Sequence, residues 1–232
     1  MKVVRCAKLD VPVDLASLRR EVASLPPRWT AHFQKAHTVG DWTVLPLRTL
    51  DGNAEEALPF ALGHAAQEYR ATPLLTQCPA IARFLDALGA PVMSARLLKL
   101  APGAMIKAHR DPDLAFESGE ARLHVPVFTN PDVLFLIDNE RVVMEAGTCW
   151  YINANLLHQV ANRGASERIH LVIDCIVDDG LRRRFADAQC AHSEVRRSPE
   201  DVQQMVDLLR AMNTPASLAL VASLEEELAG PA

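Results

Sequence analysis

Residues 121–174 read ARLHVPVFTNPDVLFLIDNERVVMEAGTCWYINANLLHQVANRGASERIHLVID, and this stretch decides the fold. Its apolar runs are short and rich in Val, Ile, Leu and aromatic residues. Turn residues cut them at Asn130-Pro131-Asp132, Asp138-Asn139, Ala146-Gly147 and Asn162-Arg163-Gly164. Runs of this kind bounded by Gly, Pro, Asn and Asp are strand signals. They predict strands at 121–129, 133–138, 141–145, 148–152, 157–162 and 168–177. Upstream the same texture continues at 93–100 and 104–109, separated by Pro102-Gly103. Many short strands with turns this frequent predict an all-β barrel or a double-sheet jelly roll.

The flanks read differently. Asp14 precedes Leu15, Leu18, Val22 and Leu25, a capped helical stripe that stops at Pro26-Pro27. Residues 28–50 show no clear period and hold Trp29 and Trp42. A second helix opens at Pro79, carries Ile81, Phe84, Leu85 and Leu88, and ends at Gly89. Beyond Asp178-Asp179-Gly180 helices return. Ser198 and Pro199 start one over Val202, Met205, Val206, Leu209 and Met212, and Thr214-Pro215 starts another that ends at Gly230. The expected organisation is therefore a helical support region over 1–91, a β core over 92–178 and a helical extension over 179–232, in one compact domain.

Composition narrows the function classes. With 232 residues, 49% of them hydrophobic, the chain can bury a sizeable core. Lys and Arg number 24 against 29 Asp and Glu, the reverse of what a nucleic-acid binder shows. No apolar run approaches the roughly 18–20 residues of a membrane span, and Met1-Lys2-Val3-Val4-Arg5 does not begin a signal peptide. Five scattered cysteines, Cys6, Cys78, Cys149, Cys175 and Cys190, form no CxxC. They predict reduced thiols and a cytoplasmic protein. Cys149 and Cys175, inside strand-like runs, read as small hydrophobes.

Two constellations carry chemistry. In His109-Arg110-Asp111 the outer two side chains point the same way on an extended segment. His158, on a later strand, can complete a set of two imidazoles and one carboxylate. Such a set leaves one face of an ion open, as in non-haem Fe(II) oxygenases. The tripeptide alone is also compatible with two unrelated surface residues. A kinase catalytic loop is excluded, because Phe116 stands where that loop needs Asn. The second constellation is a pair of Arg-x-His strands, Arg122/His124 and Arg168/His170, each alternating with aliphatics. The polar face is either an exposed, salt-bridged sheet surface or the wall of a cavity. In a cavity, buried guanidinium groups need anions, and the fork of Arg suits a carboxylate.

The stretch from Arg96 to Asp174 resembles the aspartyl/asparaginyl β-hydroxylase family of Fe(II)/2-oxoglutarate dioxygenases. The resemblance rests on LLKLAPGAMIKAHRD, ARLHVPVFTNP, MEAGTCWYINANLLHQVAN and RIHLVID, about a third of the chain. Its HxD is closest to the bacterial L-proline cis-hydroxylase branch; the animal branch has glycine where Asp111 stands. The resemblance implies a mainly β fold with a cupin-like double-stranded β-helix (jelly-roll) core. It implies Fe(II) at His109, Asp111 and His158, with Arg168 on the distal carboxylate of 2-oxoglutarate. It also implies His124 near the metal-bound end of that cosubstrate, and Arg122 on cosubstrate or substrate. Dioxygen would be consumed, and succinate and CO2 released, as an amino acid or an Asp-, Asn- or Pro-like residue in a peptide is hydroxylated. Leu98 stands where the animal enzymes place a cosubstrate-binding serine, which leaves that contact unassigned. A non-oxidative cupin-like metal protein or isomerase could use the same three ligands. The last two helices could form a lid or a homodimer contact.

Other residues read more plainly. Adjacent Trp150 and Tyr151 face opposite ways, one toward the core and the other a possible pocket wall. Asn153 and Asn155 suit a turn. His32, His37, His64 and His192 read as surface histidines.

Overall fold

Successive side chains of a strand point to opposite faces, and the last predicted strand puts aliphatics on one face and Arg168, His170 and Asp174 on the other. In this computed structural model, which describes residues 2–26, 29–32, 34–53, 68–194 and 199–229, the elements run as follows. They are β1 (Lys2–Leu9), α1 (Leu15–Ser24), β2 (Thr30–Ala31), β3 (Thr38–Val39), β4 (Trp42–Thr49), β5 (Arg70–Ala71), α2 (Pro79–Ala87), β6 (Val92–Leu100), β7 (Met105–His109), β8 (Glu120–Phe128), β9 (Val133–Ile137), β10 (Glu140–Arg141), β11 (Cys149–Ile152), β12 (His158–Asn162), β13 (Arg168–Ile176), α3 (Asp179–Ala186), β14 (Gln189–Glu194), α4 (Pro199–Met212) and α5 (Pro215–Ala229).

Two antiparallel sheets form the body of residues 4–192. The larger is ordered β1-β11-β8-β13-β6-β4-β2, with β5 added to β4; the smaller is β10-β9-β12-β7-β3. β13 lies between β8 and β6. Its Ile169, Leu171, Ile173 and Cys175 enter the main apolar core with Leu97, Leu123 and Val125. The helices α1 and α2 close that core with Leu18, Val22, Ile81 and Phe84. The opposite face of β13, carrying Arg168, His170, Val172 and Asp174, is also buried. This face looks across a cavity at the smaller sheet. Two facing antiparallel sheets of this kind make a jelly roll. Cys149 and Cys175 pack in the core as small hydrophobes, and all five thiols are free.

Most of the strands read from the sequence are present within a residue or two. One is cut short. Strand pairing after Asp138-Asn139, both at positive φ as a tight hairpin turn requires, ends at Arg141. The chain then turns at Glu145–Thr148, closed by Thr148 Oγ1 donating to the Glu145 carbonyl at 2.6 Å.

The largest difference lies in the first ninety residues. This region, expected as a helical support, supplies β1 to β5 as well as two helices. β4 contains Pro46, a residue that normally argues against a paired strand. The strand absorbs it with a register shift between Pro46 and Arg48 against β6. The last forty residues differ too: residues 193–232 with 1–3 form a separate compact unit rather than part of one domain. There α4 and α5 bury Val202, Val206, Val221 and Leu224 against each other. Ser217 and Thr214 cap the start of α5 reciprocally, at 3.0 and 3.1 Å. Ser198 and Gly230, read as the ends of this pair, lie outside the described residues. Among the described residues no helix is long and apolar enough to cross a membrane.

One side chain locks the two core helices together. Glu21 of α1 accepts from the main-chain N–H groups of Ala80 (2.6 Å) and Ile81 (3.0 Å), capping the first turn of α2. Removing a helix-terminal acceptor destabilises by roughly 0.5–2 kcal/mol. Glu21→Ala is therefore expected to lower the urea midpoint by that amount of free energy with an unchanged m-value.

Candidate active site

The three predicted metal ligands meet, and the strand register brings them there. His109 ends β7 and lies directly opposite His158 of β12, with ring centroids 4.2 Å apart. Asp111 sits two residues beyond β7, tied by its main-chain N–H to the Ala154 carbonyl at 2.9 Å. One ligand atom from each of the three lies within 4.8 Å of the others. Both histidines aim the same nitrogen outward. His109 Nδ1 bonds the Lys107 carbonyl and His158 Nδ1 bonds the Leu156 carbonyl, each at 2.9 Å. A carbonyl only accepts, so each Nδ1 carries the proton and each Nε2 keeps its lone pair for an ion. Burial, then the nearby His109, lowers the His158 pKa to about 4, so its imidazole is neutral at pH 7. Burial opposes charge on Asp111, but Arg122 and the two histidines outweigh it and hold the carboxyl below its ordinary pKa.

Behind the triad lies a buried ionic chain that includes two residues the sequence reading did not single out, Arg96 and Asp174. Asp174 is fully buried and sits opposite Arg122 in the β13–β8 register. It takes Arg122 Nε at 2.7 Å and Nη2 at 3.1 Å, Arg96 Nη1 at 2.9 Å and Ser94 Oγ at 3.1 Å. Arg122 Nη1 reaches on to Asp111 Oδ2. Desolvation works against both ions, yet the pairing prevails: Asp174 is held well below the ordinary carboxylate pKa and Arg122 is raised. The alternation that marks Arg122 and Arg168 also covers these two. Asp174 shares a face with Arg168 and His170 on β13, and Arg96 shares one with Leu98 on β6.

Arg168 stands apart. It is 1% exposed, and among the described residues no carboxylate pairs with it. Its Nη2 lies 2.9 Å from His170 Nδ1, its Nε has no partner, and its guanidinium carbon is 5.9 Å from the Phe135 ring. Burial alone pushes its pKa down to about 9, so the cation persists at pH 7. His124 Nδ1 is 3.4 Å from His170 Nδ1, and both rings leave a buried Nε2 without a partner. Burial and then the Arg168 charge hold both imidazoles well below the ordinary histidine pKa, hence neutral. A buried cation without a carboxylate partner, beside polar atoms without partners, suits an anionic ligand.

The cavity measures about 250 Å³ and joins Arg168 and His124 at one end to the triad. It is lined by both sheets, so the polar strand faces are a cavity wall and not an exposed surface. Leu98, opposite His170 across β13, also lines it and adds no polar contact. His32 corrects its sequence reading: it is 5% exposed and lines this cavity. It stacks on Trp42 with centroids 3.5 Å apart and takes the Gln34 N–H on Nδ1 at 3.3 Å. Burial, then Arg96 and Arg122, pushes its pKa to about 3. No periodic signal marked it, because it lies in the loop before β4. His37 is half-buried, its ring 5.6 Å from that of His109. His192 is exposed, and His64 lies outside the described residues. Tyr151 is core and fixes the loop after Asp111 by accepting the Phe116 N–H at 2.8 Å. Trp150 is half-buried and donates to Thr148 rather than lining the cavity. Asn153 and Asn155 form the expected turn.

Comparison with known proteins agrees with this geometry. Residues 13–177 match the family described as Aspartyl/Asparaginyl beta-hydroxylase. A curated relative, L-proline cis-4-hydroxylase of Rhizobium meliloti (strain 1021), is 27% identical over 169 residues, 71% of this chain. The chain spans 58% of that relative's length. Among solved structures, an oxidoreductase of the 2OG-Fe(II) oxygenase family from Burkholderia pseudomallei aligns at 17% identity and a TM-score of 0.46. It covers 74% of this chain and 82% of its own. A nickel complex of a non-haem monooxygenase aligns at 16% identity and a TM-score of 0.45, covering 75% and 74%.

The unpaired guanidinium has a thermodynamic consequence in the ligand-free protein. Exchanging buried charge for apolar atoms of similar volume stabilises by on the order of 1–4 kcal/mol. Arg168→Met is expected to raise the stability of the ligand-free protein at pH 7 in chemical denaturation. A large loss of stability would mean that Arg168 is a structural rather than a ligand-directed cation.

Proposed function

The chain belongs to the aspartyl/asparaginyl β-hydroxylase family, and on that premise we propose that it is an Fe(II)/2-oxoglutarate-dependent dioxygenase that hydroxylates an unactivated C–H of an amino acid. The observation that carries this reading is one cavity holding both the His109–Asp111–His158 set and the unpaired Arg168. A buried cation without a counter-ion calls for an anionic ligand beside the metal set, a requirement that metal binding alone does not create. The residues present fit both groups: two imidazoles and a carboxylate for Fe(II), a guanidinium for the distal carboxylate of the cosubstrate.

In this reading His109, Asp111 and His158 would hold Fe(II), and the chemistry supplied by that ion would be the use of dioxygen to convert 2-oxoglutarate to succinate and CO2 while one oxygen atom enters the substrate. The chain supplies placement. Arg168 fixes the far end of the cosubstrate by a charge-assisted contact. His124 meets it nearer the metal. Apolar Leu98, Phe135, Val160 and Val172 keep that end dry. His32 and Trp42 also line the cavity, and the substrate would lie against them. The name of the curated relative favours a free amino acid resembling proline over a residue in a protein, and a 250 Å³ cavity suits a small molecule. Five free thiols and the absence of a membrane-spanning helix among the described residues support a cytoplasmic location.

Succinate formation from 2-oxoglutarate with added Fe(II), screened over free amino acids and short peptides, tests the activity. Mass spectrometry should show one substrate gaining a single oxygen. His109→Ala and His158→Ala protein should lose iron on metal analysis, and full retention in both would end the assignment. Arg168→Met should raise the apparent KM for 2-oxoglutarate by at least tenfold with little change in that for the amino acid. An effect confined to the amino acid would move Arg168 to the substrate pocket.

A further inference from the structure

We propose that Asp174 is a positioning residue for the metal-binding carboxylate: acting through the Arg122 guanidinium, it holds Asp111 by Oδ2 and leaves Oδ1 on the side of His109. This rests on reading His109, Asp111 and His158 as the metal set.

Three observations carry it. First, Asp111 lies beyond the end of its strand. Its backbone is tied to Ala154, but no ladder fixes its side chain. Second, Arg122 is gripped along one edge, its Nε and Nη2 both on Asp174 at 2.7 and 3.1 Å. A guanidinium is planar and rigid, so fixing one edge fixes where the remaining nitrogen points. That nitrogen, Nη1, meets Asp111 Oδ2. The other oxygen, Oδ1, is 4.0 Å from His109 Nε2. Third, Asp174 cannot drift. It faces Arg122 across paired strands, and Arg96 and Ser94 hold its Oδ2 from the other side. The route from β6 through β13 and β8 to Asp111 is buried throughout. With three of its donors committed to two carboxylates, Arg122 serves the metal set from behind, and Arg168 remains the cation left for a ligand.

The test is Co(II) titration of metal-free protein, followed by visible absorption, with circular dichroism confirming the fold. Asp174→Asn keeps the volume but turns one acceptor into a donor facing Arg122. Its Co(II) affinity should fall about 10–100-fold, the range for loss of a group that orients a ligand, with an altered absorption envelope. In an Asp111→Asn background the same change should have no further effect. Equal losses in both backgrounds would mean a general structural effect and overturn the role, as would an unchanged affinity in Asp174→Asn. If Asp174→Asn does not fold, Arg122→Lys keeps the charge but cannot span two carboxylates. Its affinity should fall likewise, and wild-type binding would overturn the proposal. Wild-type protein that binds no Co(II), or binds it equally after Asp111→Asn, would bring down the metal reading itself.

Discussion

A fully buried carboxylate between two guanidinium groups organises this cavity. Asp174 receives Arg122 from one neighbouring strand and Arg96 from the other, so β8, β13 and β6 are joined by charge as well as by main-chain hydrogen bonds. Burying any of the three side chains without the others would cost stability, because an isolated ion in a protein interior is strongly unfavourable. Together they form a polar floor under an otherwise apolar sandwich. The opposite face of the same sheet packs into the apolar core, which leaves the cavity side for these ions.

The metal set depends on that floor and on a second constraint, the register of the smaller sheet. His109 and His158 are cross-strand neighbours, so their rings meet whichever ion is bound. Each is oriented by a carbonyl two residues earlier in its own chain. The imidazoles are thus placed by local backbone, whereas Asp111 is placed by the ionic chain from the other sheet. The cavity is where these two independent devices coincide.

How far this could be read from the sequence follows from the range of each interaction. Period-two alternation is local, and it exposed β6, β8, β13 and the polar faces of the last two. The HxD spacing is local as well. Its partnership with His158 depends on strand pairing, but two breaks and a second alternating run bracket that residue closely. Where a local rule is broken, reading fails: Pro46 disguised β4, and charges spaced by three at Lys2, Arg5 and Lys8, out of step with a period of two, disguised β1. The burial of His32 was illegible for a different reason. It depends on a loop that lays the ring flat against Trp42, and nothing in the neighbouring sequence encodes that contact. Arg96 and Asp174 were legible in principle, since both obey the alternation, but neither belongs to a motif that marks it off from an ordinary polar residue of a strand.

The charges of the cavity also bear on how the proposed iron and cosubstrate would load. Arg96, Arg110, Arg122 and Arg168 outnumber Asp111 and Asp174 around the cavity, and His32, His124 and His158 are held neutral, leaving positive charge in excess. A dication entering alone adds to that excess in a site where burial weakens solvent screening. A dicarboxylate entering beside it removes what the ion adds and answers Arg168 at the same time. Each ligand therefore lowers the electrostatic free energy of the other, and linkage makes the benefit reciprocal. The loaded site therefore carries the same net positive charge as the empty one, a surplus that favours an anionic group over an ammonium beside the His32–Trp42 wall.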